Sequence, residues 1–341
     1  MQIFDATATA LALPWLPLVA ALERTLADAA AGRAQAPERW VLPVAPGTSW
    51  FLMPAWLAAD AGDLAAIKLI TYASANPARG LPSILGDVLV LRASTGLRLA
   101  LLDGPTVTAR RTAAVTLLAA LRLAPAPIGL SAAGAAPAGP LLVIGTGVQA
   151  LAHVQALVAG AGVREVWVRG RTPARSREFV QTLQTWEAAQ LSQDGQLAPG
   201  LQITPADDLA LALKRCRWIV TATPAAAVCL HGTVRDDAFV AAVGAFKPAM
   251  IELDPALTRQ LAAAGRVVLD SAAARHEAGD LLAAGLDLSG LPTLAELLAQ
   301  WPAGAADQAR AALSRPTGPV LFKSCGASLW DLAAARCAVV A

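Results

Sequence analysis

The residues that point most directly to chemistry are glycines. The segment "LLVIGTGVQALAHVQAL" runs a branched apolar stretch into Gly145-Thr146-Gly147-Val148-Gln149-Ala150 and then into a helical pattern. This is Gly-x-Gly-x-x-Ala in the strand, turn and helix setting of a dinucleotide site. Gly145 permits the tight turn, Gly147 leaves room for a pyrophosphate against the backbone, and Ala150 allows close helix packing. The free N–H groups that open the helix then face phosphate. The plain alternative is a Gly-rich turn that holds nothing.

The end of the following strand, "EVWVRG", decides which dinucleotide is expected. An NAD site sets an Asp or Glu about 20 residues beyond the glycines, on the ribose hydroxyls. Here the chain reads Val168-Arg169-Gly170-Arg171-Thr172-Pro173-Ala174-Arg175, without an acid. Arg171, Thr172 and Arg175 are suited to a 2′-phosphate, so NADPH is expected rather than NADH. Arg177 reads as a solvated charge of the same basic loop.

Other chemistry is bounded by scarcity. Lys68, Lys214, Lys247 and Lys323 are the only lysines, and Lys68 stands inside the apolar run "LAAIKLITYA". A lysine buried there is costly unless it is paired; the alternative is an edge strand that points it to water. Cys216, Cys229, Cys325 and Cys337 make no Cys-x-x-Cys pair, and His153, His231 and His276 are far apart. No metal site is expected, and the thiols read as small buried hydrophobes in a reducing compartment.

The elements that must position these residues follow from pattern. Leu16 to Arg33 has helical apolar spacing, and "RWVLPV", "SWFLMPAWL", "LAAIKLITYA", "DVLVLRAS" and "LRLALLDG" read as strands. "TARRTAAVTLLAALRLA" is a helix leading into "PAPIGLSAAGAAPAGP", a linker by its Pro and Gly content. Beyond it, "LLVIG", "EVWVRG", "WIVTATP", "AFVAAVGA" and "RVVLDS" alternate with Ala- and Leu-rich helices, which implies a parallel sheet covered on both faces. "PVLFKSCGASLWDLAAARCAVV" reads as a strand, a Gly turn and a helix.

Composition narrows the class. The 341 residues carry 27 Lys plus Arg against 25 Asp plus Glu, a net charge of +2, which argues against a nucleic-acid partner. With 56% hydrophobic and only 15% charged residues, a disordered chain is excluded, and the length suits two domains. The mean hydropathy of +0.51 raises the question of a membrane. Ala6 to Leu22 and Leu123 to Val163 lack Asp, Glu, Lys and Arg, but Pro14 and Pro17 break the first and many Gly and Pro residues break the second. Neither reads as a span or as a secretory signal, and a soluble cytoplasmic protein is expected.

Over nearly its whole length the chain resembles the ornithine cyclodeaminase/mu-crystallin family. The resemblance rests on "LMPAWL", "IKLITYASANPARGLPS", "LALLDGPTVTARRTAA", "VIGTGVQALAH", "VTATP", "AVGAFKPAMIELD" and "FKSCGASLWDLAAA". It implies an α/β fold in which a Rossmann domain is inserted into a strand-rich α+β domain for substrate binding and dimerisation. The expected bounds are 1–118 completed by 317–341, with 119–316 between, and the expected assembly is a homodimer.

The resemblance also implies a substrate pocket in which Arg39 and Arg111 hold an α-carboxylate and Lys68 supplies a proton. Ser83, Thr223, Pro224, Val243, Ala245 and Ser324 match positions near the cofactor or the pocket edge, with packing or turn roles equally open. In the cyclodeaminases an Asp follows the pair matching Gly244-Ala245, where it handles the distal amine; this chain has Phe246. A phenyl ring cannot do that work. The resemblance therefore favours the branch that reduces cyclic ketimine acids, Δ1-pyrroline-2-carboxylate to L-proline and Δ1-piperideine-2-carboxylate to L-pipecolate. An ornithine cyclodeaminase, an amino-acid dehydrogenase, or a non-catalytic NADPH- and ligand-binding crystallin are the other readings.

Overall fold

Period-two patterning governs the first part of the chain. Strands β1 (Gln2–Phe4), β2 (Ala34–Gln35), β3 (Trp40–Ala45), β4 (Thr48–Leu57), β5 (Leu64–Ala73), β6 (Ile84–Arg92) and β7 (Arg98–Asp103) form one sheet. Its order is β1-β7-β6-β5-β4-β2, with β3 also paired to β4. Strands β4 to β7 run antiparallel to one another, and β1 joins β7 in parallel. On β5, Leu64, Ala66, Lys68 and Ile70 turn inward, while Ile67 and Leu69 are exposed. One face is thus core and the other is not, as alternation dictates.

The computed structural model describes residues 1–125, 139–193, 200–300 and 318–340. It divides into two compact units, Met1–Val115 with Gly326–Ala341, and Thr116–Cys325. Most of the expected linker "PAPIGLSAAGAAPAGP" falls outside the described residues. In the first unit the last helix, Ser328–Val340, lies against α2 (Trp15–Ala30), β4, β5 and β6. The charge-free stretch from Ala6 becomes α1 (Ala6–Ala12) and the start of α2, bent by 68° where Leu13 and Pro14 interrupt them. Asp5 caps α1 by accepting the Ala8 N–H at 2.8 Å. Among the described residues no single helix is long and apolar enough to cross a membrane.

Helix α3 (Gly104–Leu123) belongs to both units, which divide between Val115 and Thr116 rather than at 118. In the second unit, β8 (Leu141–Ile144), β9 (Glu165–Arg169), β10 (Gln202–Pro205), β11 (Trp218–Thr221), β13 (Phe239–Ala242), β15 (Arg266–Leu269) and β16 (Val320–Lys323) build a sheet of order β10-β9-β8-β11-β13-β16-β15. All its pairings are parallel. A two-stranded parallel pair, β12 (Ala226–Leu230) and β14 (Ile251–Leu253), stands apart from it. Helices α4 (Val148–Ala161), α5 (Pro173–Gln193), α6 (Leu209–Arg215) and α7 (Pro255–Ala264) connect the strands. Every residue of β8, β11, β13 and β16 is buried, so both faces of the sheet are covered.

The second expected boundary moves as well. The resemblance implies that 317–341 completes the first unit, but β16 lies in the second, between β13 and β15. The chain re-enters the first unit only at Gly326. The reason is in the strand: Val320, Leu321 and Phe322 bury completely, and such a run needs a slot with both faces covered.

Candidate active site

Lys68 is fully buried on the inner face of β5, between Met53 of β4 and Val88 of β6 in the strand register. The last helix covers it and supplies Asp331, also fully buried. Lys68 Nζ lies 2.9 Å from both carboxylate oxygens of Asp331. Arg111, on α3, reaches the same carboxylate from another side, with Nε 3.2 Å from Oδ1. Thr108, one helical turn earlier, brings its hydroxyl to 3.5 Å from Lys68 Nζ. Arg39, half-buried just before β3, is close enough for its charge to act on Lys68. The sequence-expected trio of Arg39, Lys68 and Arg111 is therefore brought together, around an acid that sequence reasoning missed.

Burial pushes the Lys68 ammonium down from its ordinary 10.5 to about 8; Asp331 works against this, and Arg111 and Arg39 add to it. Lys323 provides the contrast. It too is buried in an apolar strand, with Asp280 2.9 Å away and the Ala242 carbonyl at 3.2 Å. Burial opposes its charge, but Asp280, Cys325 and Glu252 outweigh it, and its proton affinity rises. Lys323 is thus a permanent cation that ties β16 to its neighbours. Lys68 gains or loses a proton near neutrality, which is what a general acid requires.

The second constellation is the turn between β8 and α4. Gly145 has φ +123°, and a Cβ there would lie 2.3 Å from the Ala222 carbonyl oxygen, so only glycine fits. Gly147 is the N-cap of α4, with open space where a side chain would be, and Val148 after it is 69% exposed. No side chain caps this helix start. The turn sits where β8 neighbours β11 while β9 and β10 lie on its other side, the switch point at which parallel sheets bind ligands. Ala150 is fully buried, as close packing of the helix requires. The backbone space and open N–H groups fit a dinucleotide pyrophosphate. Thr146 touches the next loop, since a Cβ on Gly170 would come 3.0 Å from its methyl carbon.

The chain matches the family model for the ornithine cyclodeaminase/mu-crystallin family over residues 11–339. This chain belongs to that family. It is 38% identical over 337 residues to Δ1-pyrroline-2-carboxylate reductase 2 of Burkholderia ambifaria, covering 98% of this chain and 94% of that protein. It is also 38% identical over 340 residues to a Δ1-pyrroline-2-carboxylate/Δ1-piperideine-2-carboxylate reductase of Azospirillum brasilense, covering 99% and 95%. Its fold is similar to that of Thermococcus litoralis Δ1-pyrroline-2-carboxylate reductase in complex with NADH and L-proline, with a TM-score of 0.80 at 23% identity, covering 100% and 97%.

A cleft of about 220 Å3 beyond β9 is lined by Arg169, Arg171, Thr172, Ser176, Arg177 and Asp207 among others. Arg171 and Thr172, expected from the strand end, both line this cleft. Arg175 does not line the cleft; its guanidinium turns to Glu178, 2.9 Å away and equally exposed. Arg177 lines the cleft instead and is exposed there, as a solvated charge would be. Helix geometry explains the exchange: Pro173 and Arg177 share a face of α5 at i,i+4, while Arg175 meets Glu178 at i,i+3.

The remaining residues carried over from the family are mostly held by the protein itself. Thr223 donates both its N–H and its hydroxyl to Glu252, at 2.7 and 2.8 Å. Glu252 also accepts from Thr221 and from the Gly244 N–H, clasping the carboxyl ends of β11 and β13. Ser324 donates to Asp270 at 2.9 Å and is buried. Val243 and Ala245 are buried packing positions, Pro224 is exposed, and the Ser83 carbonyl accepts from Ala73 N–H to close the turn before β6. Ala225 adopts φ +54°, a left-handed backbone in a non-glycine residue directly after Pro224. Phe246 packs half-buried on the hydrophobic core of the second unit, with Lys247 Nζ 5.8 Å from its ring centre. Among the described residues no cluster of His, Cys, Asp and Glu could hold a metal.

Proposed function

We propose that the protein is a nicotinamide-dependent reductase of small cyclic ketimine acids, forming L-proline from Δ1-pyrroline-2-carboxylate and L-pipecolate from Δ1-piperideine-2-carboxylate. The observation that carries this reading is a buried ammonium poised near pH 8 beside two guanidiniums. Such a site suits a molecule whose anion stands next to a basic atom. In a cyclic ketimine acid the carboxylate is attached to the C=N carbon itself. Arg111 and Arg39 receive the carboxylate, and Lys68 gives its proton to the imine nitrogen, which makes the adjacent carbon electrophilic. A nicotinamide dinucleotide, for which the turn at 145–150 offers backbone space, would supply the hydride that this carbon accepts. The C=N bond becomes C–N, the nitrogen keeps the proton from Lys68, and Lys68 is recharged from solvent. The named relatives, 38% identical over nearly the full length, support the same reaction.

The cofactor we favour is NADPH. Arg169, Arg171 and Arg177 outnumber Asp207 in the cleft beyond β9, which suits a 2′-phosphate. We further propose a homodimer formed through the outer face of the first sheet. Strand register sets Trp40 and Leu42 of β3, Trp50 and Trp56 of β4, and Ile67 and Leu69 of β5 on that one face, all of them exposed. A patch of this kind is unusual on a monomer and fits a second copy of itself. Four free thiols, three of them buried, support work in a reducing compartment such as the cytoplasm.

The deciding experiment mixes purified protein, NADPH and either ketimine acid and follows the absorbance of the reduced cofactor. Oxidation matched by proline or pipecolate is expected. Ammonia release from ornithine with no oxidation by either imine would return the reading to a cyclodeaminase. Binding of NADPH and ligand without turnover would leave the crystallin reading.

A further inference from the structure

The reaction as described gives Asp331 no part, yet this carboxylate is the most heavily used group in the site. It is fully buried, with Lys68 2.9 Å from both of its oxygens and Arg111 Nε 3.2 Å from one of them. We infer that Asp331 is a positioning residue for ketimine reduction: it holds the proton-donating lysine and the carboxylate-binding arginine in the spacing of one substrate and keeps the lysine charged between turnovers. The inference rests on the reductase reading for its kinetics, but not for its electrostatics.

Three observations carry it. The first is the balance of charge: Asp331 receives both Lys68 and Arg111, while Arg111 and Arg39 each act on the lysine as like charges. Without Asp331, burial first and the two guanidiniums after it would lower the proton affinity of Lys68 unopposed. The second is the anchoring of the anion. Asp331 lies in the first turn of the last helix, where the helix dipole favours a carboxylate. The third is the geometry of Arg111. Its terminal nitrogens pack so closely on Gly326 that a Cβ there would lie 3.1 and 3.2 Å from them, and Gly326 itself has φ +86°. The glycine and the acid five residues later fix both ends of the guanidinium from one segment.

The test is Asp331→Asn, which keeps shape and removes charge, beside Asp331→Glu, which keeps charge and moves it by one methylene. For Asp331→Asn, kcat at pH 7 falls at least tenfold, NADPH affinity is unchanged, and the alkaline limb of kcat/KM moves down by one pH unit or more. For Asp331→Glu, the limb stays within a few tenths of a unit of the wild type, while kcat remains at least fivefold low. With only four lysines in the chain, [13Cε]lysine NMR follows Lys68 directly without substrate. Its midpoint falls by one unit or more in Asp331→Asn. A wild-type protein inert toward both imines would sink the reductase reading alone, and the lysine titration would still judge Asp331. An Asn variant with an unmoved limb and an unmoved Lys68 midpoint overturns the proposal, whatever happens to its Tm. If the Asn variant does not fold, wild-type kcat in Asp331→Glu overturns it equally.

Discussion

Two lysines in this chain break apolar strands, and only their neighbours tell them apart. Lys323 faces an acid and a carbonyl with no competing cation described, and its charge is held. Lys68 shares its acid with Arg111 and feels Arg39, and burial wins by enough to bring it to about 8. As a proton donor Lys68 must be charged, so its active form is complete below pH 8 and is lost as pH rises through that value. The kcat/KM for ketimine reduction should therefore be flat at neutral pH and fall about tenfold per unit above pH 8. A limb beyond pH 10 would mean that the donor is not this residue. Lys68→Met, close in shape but without the proton, should lower kcat by about a hundred- to ten-thousand-fold with NADPH affinity intact. Equal losses in turnover and cofactor binding would assign Lys68 a structural role.

The loop from β9 into α5 shows how an element selects among its own side chains. Three arginines follow Gly170 within the first two turns of the helix and its approach, and helical phase sends Arg175 to Glu178 and Arg177 to the cleft. The double variant Arg171→Ala with Arg177→Ala should weaken NADPH binding at least about tenfold while leaving NADH unchanged. Arg175→Ala should change neither. Isothermal titration with the two cofactors reads all three; a loss for NADH as large as that for NADPH would show that these arginines do not read a 2′-phosphate.

For the molecule as a whole, the first sheet is the open question that its own burial pattern raises. Its inner face is closed by α2 and the last helix, whereas its outer face leaves Trp40 at 66%, Trp50 at 43% and Leu69 at 42% exposure. Light scattering should give twice the chain mass of 34.9 kDa for the wild type and one chain mass for Leu69→Asp. A charge on that face is costly to bury between two copies and costs little in water. A wild-type monomer at micromolar concentration would remove the sheet face as an interface.

Much of this was legible in the amino-acid order. The Gly145 turn, the switch from period two to alternating strands and helices, and the basic strand end at Arg171 are local patterns, set by backbone sterics and by which faces can bury. Short strands such as β1, β2 and β10 carry too few residues for periodicity to show. Asp331 left the same mark as Lys68, a charge within the apolar run "SLWDLAAARC", but a charge in an apolar stretch does not name its partner. The sequence separation of 263 between Lys68 and Asp331 is closed only by packing the last helix on the first sheet. The residue types and the turn were decided locally; which lysine titrates, which arginine faces the cleft and which acid serves the site were decided by tertiary structure, because electrostatic energy depends on distance and burial rather than on order along the chain.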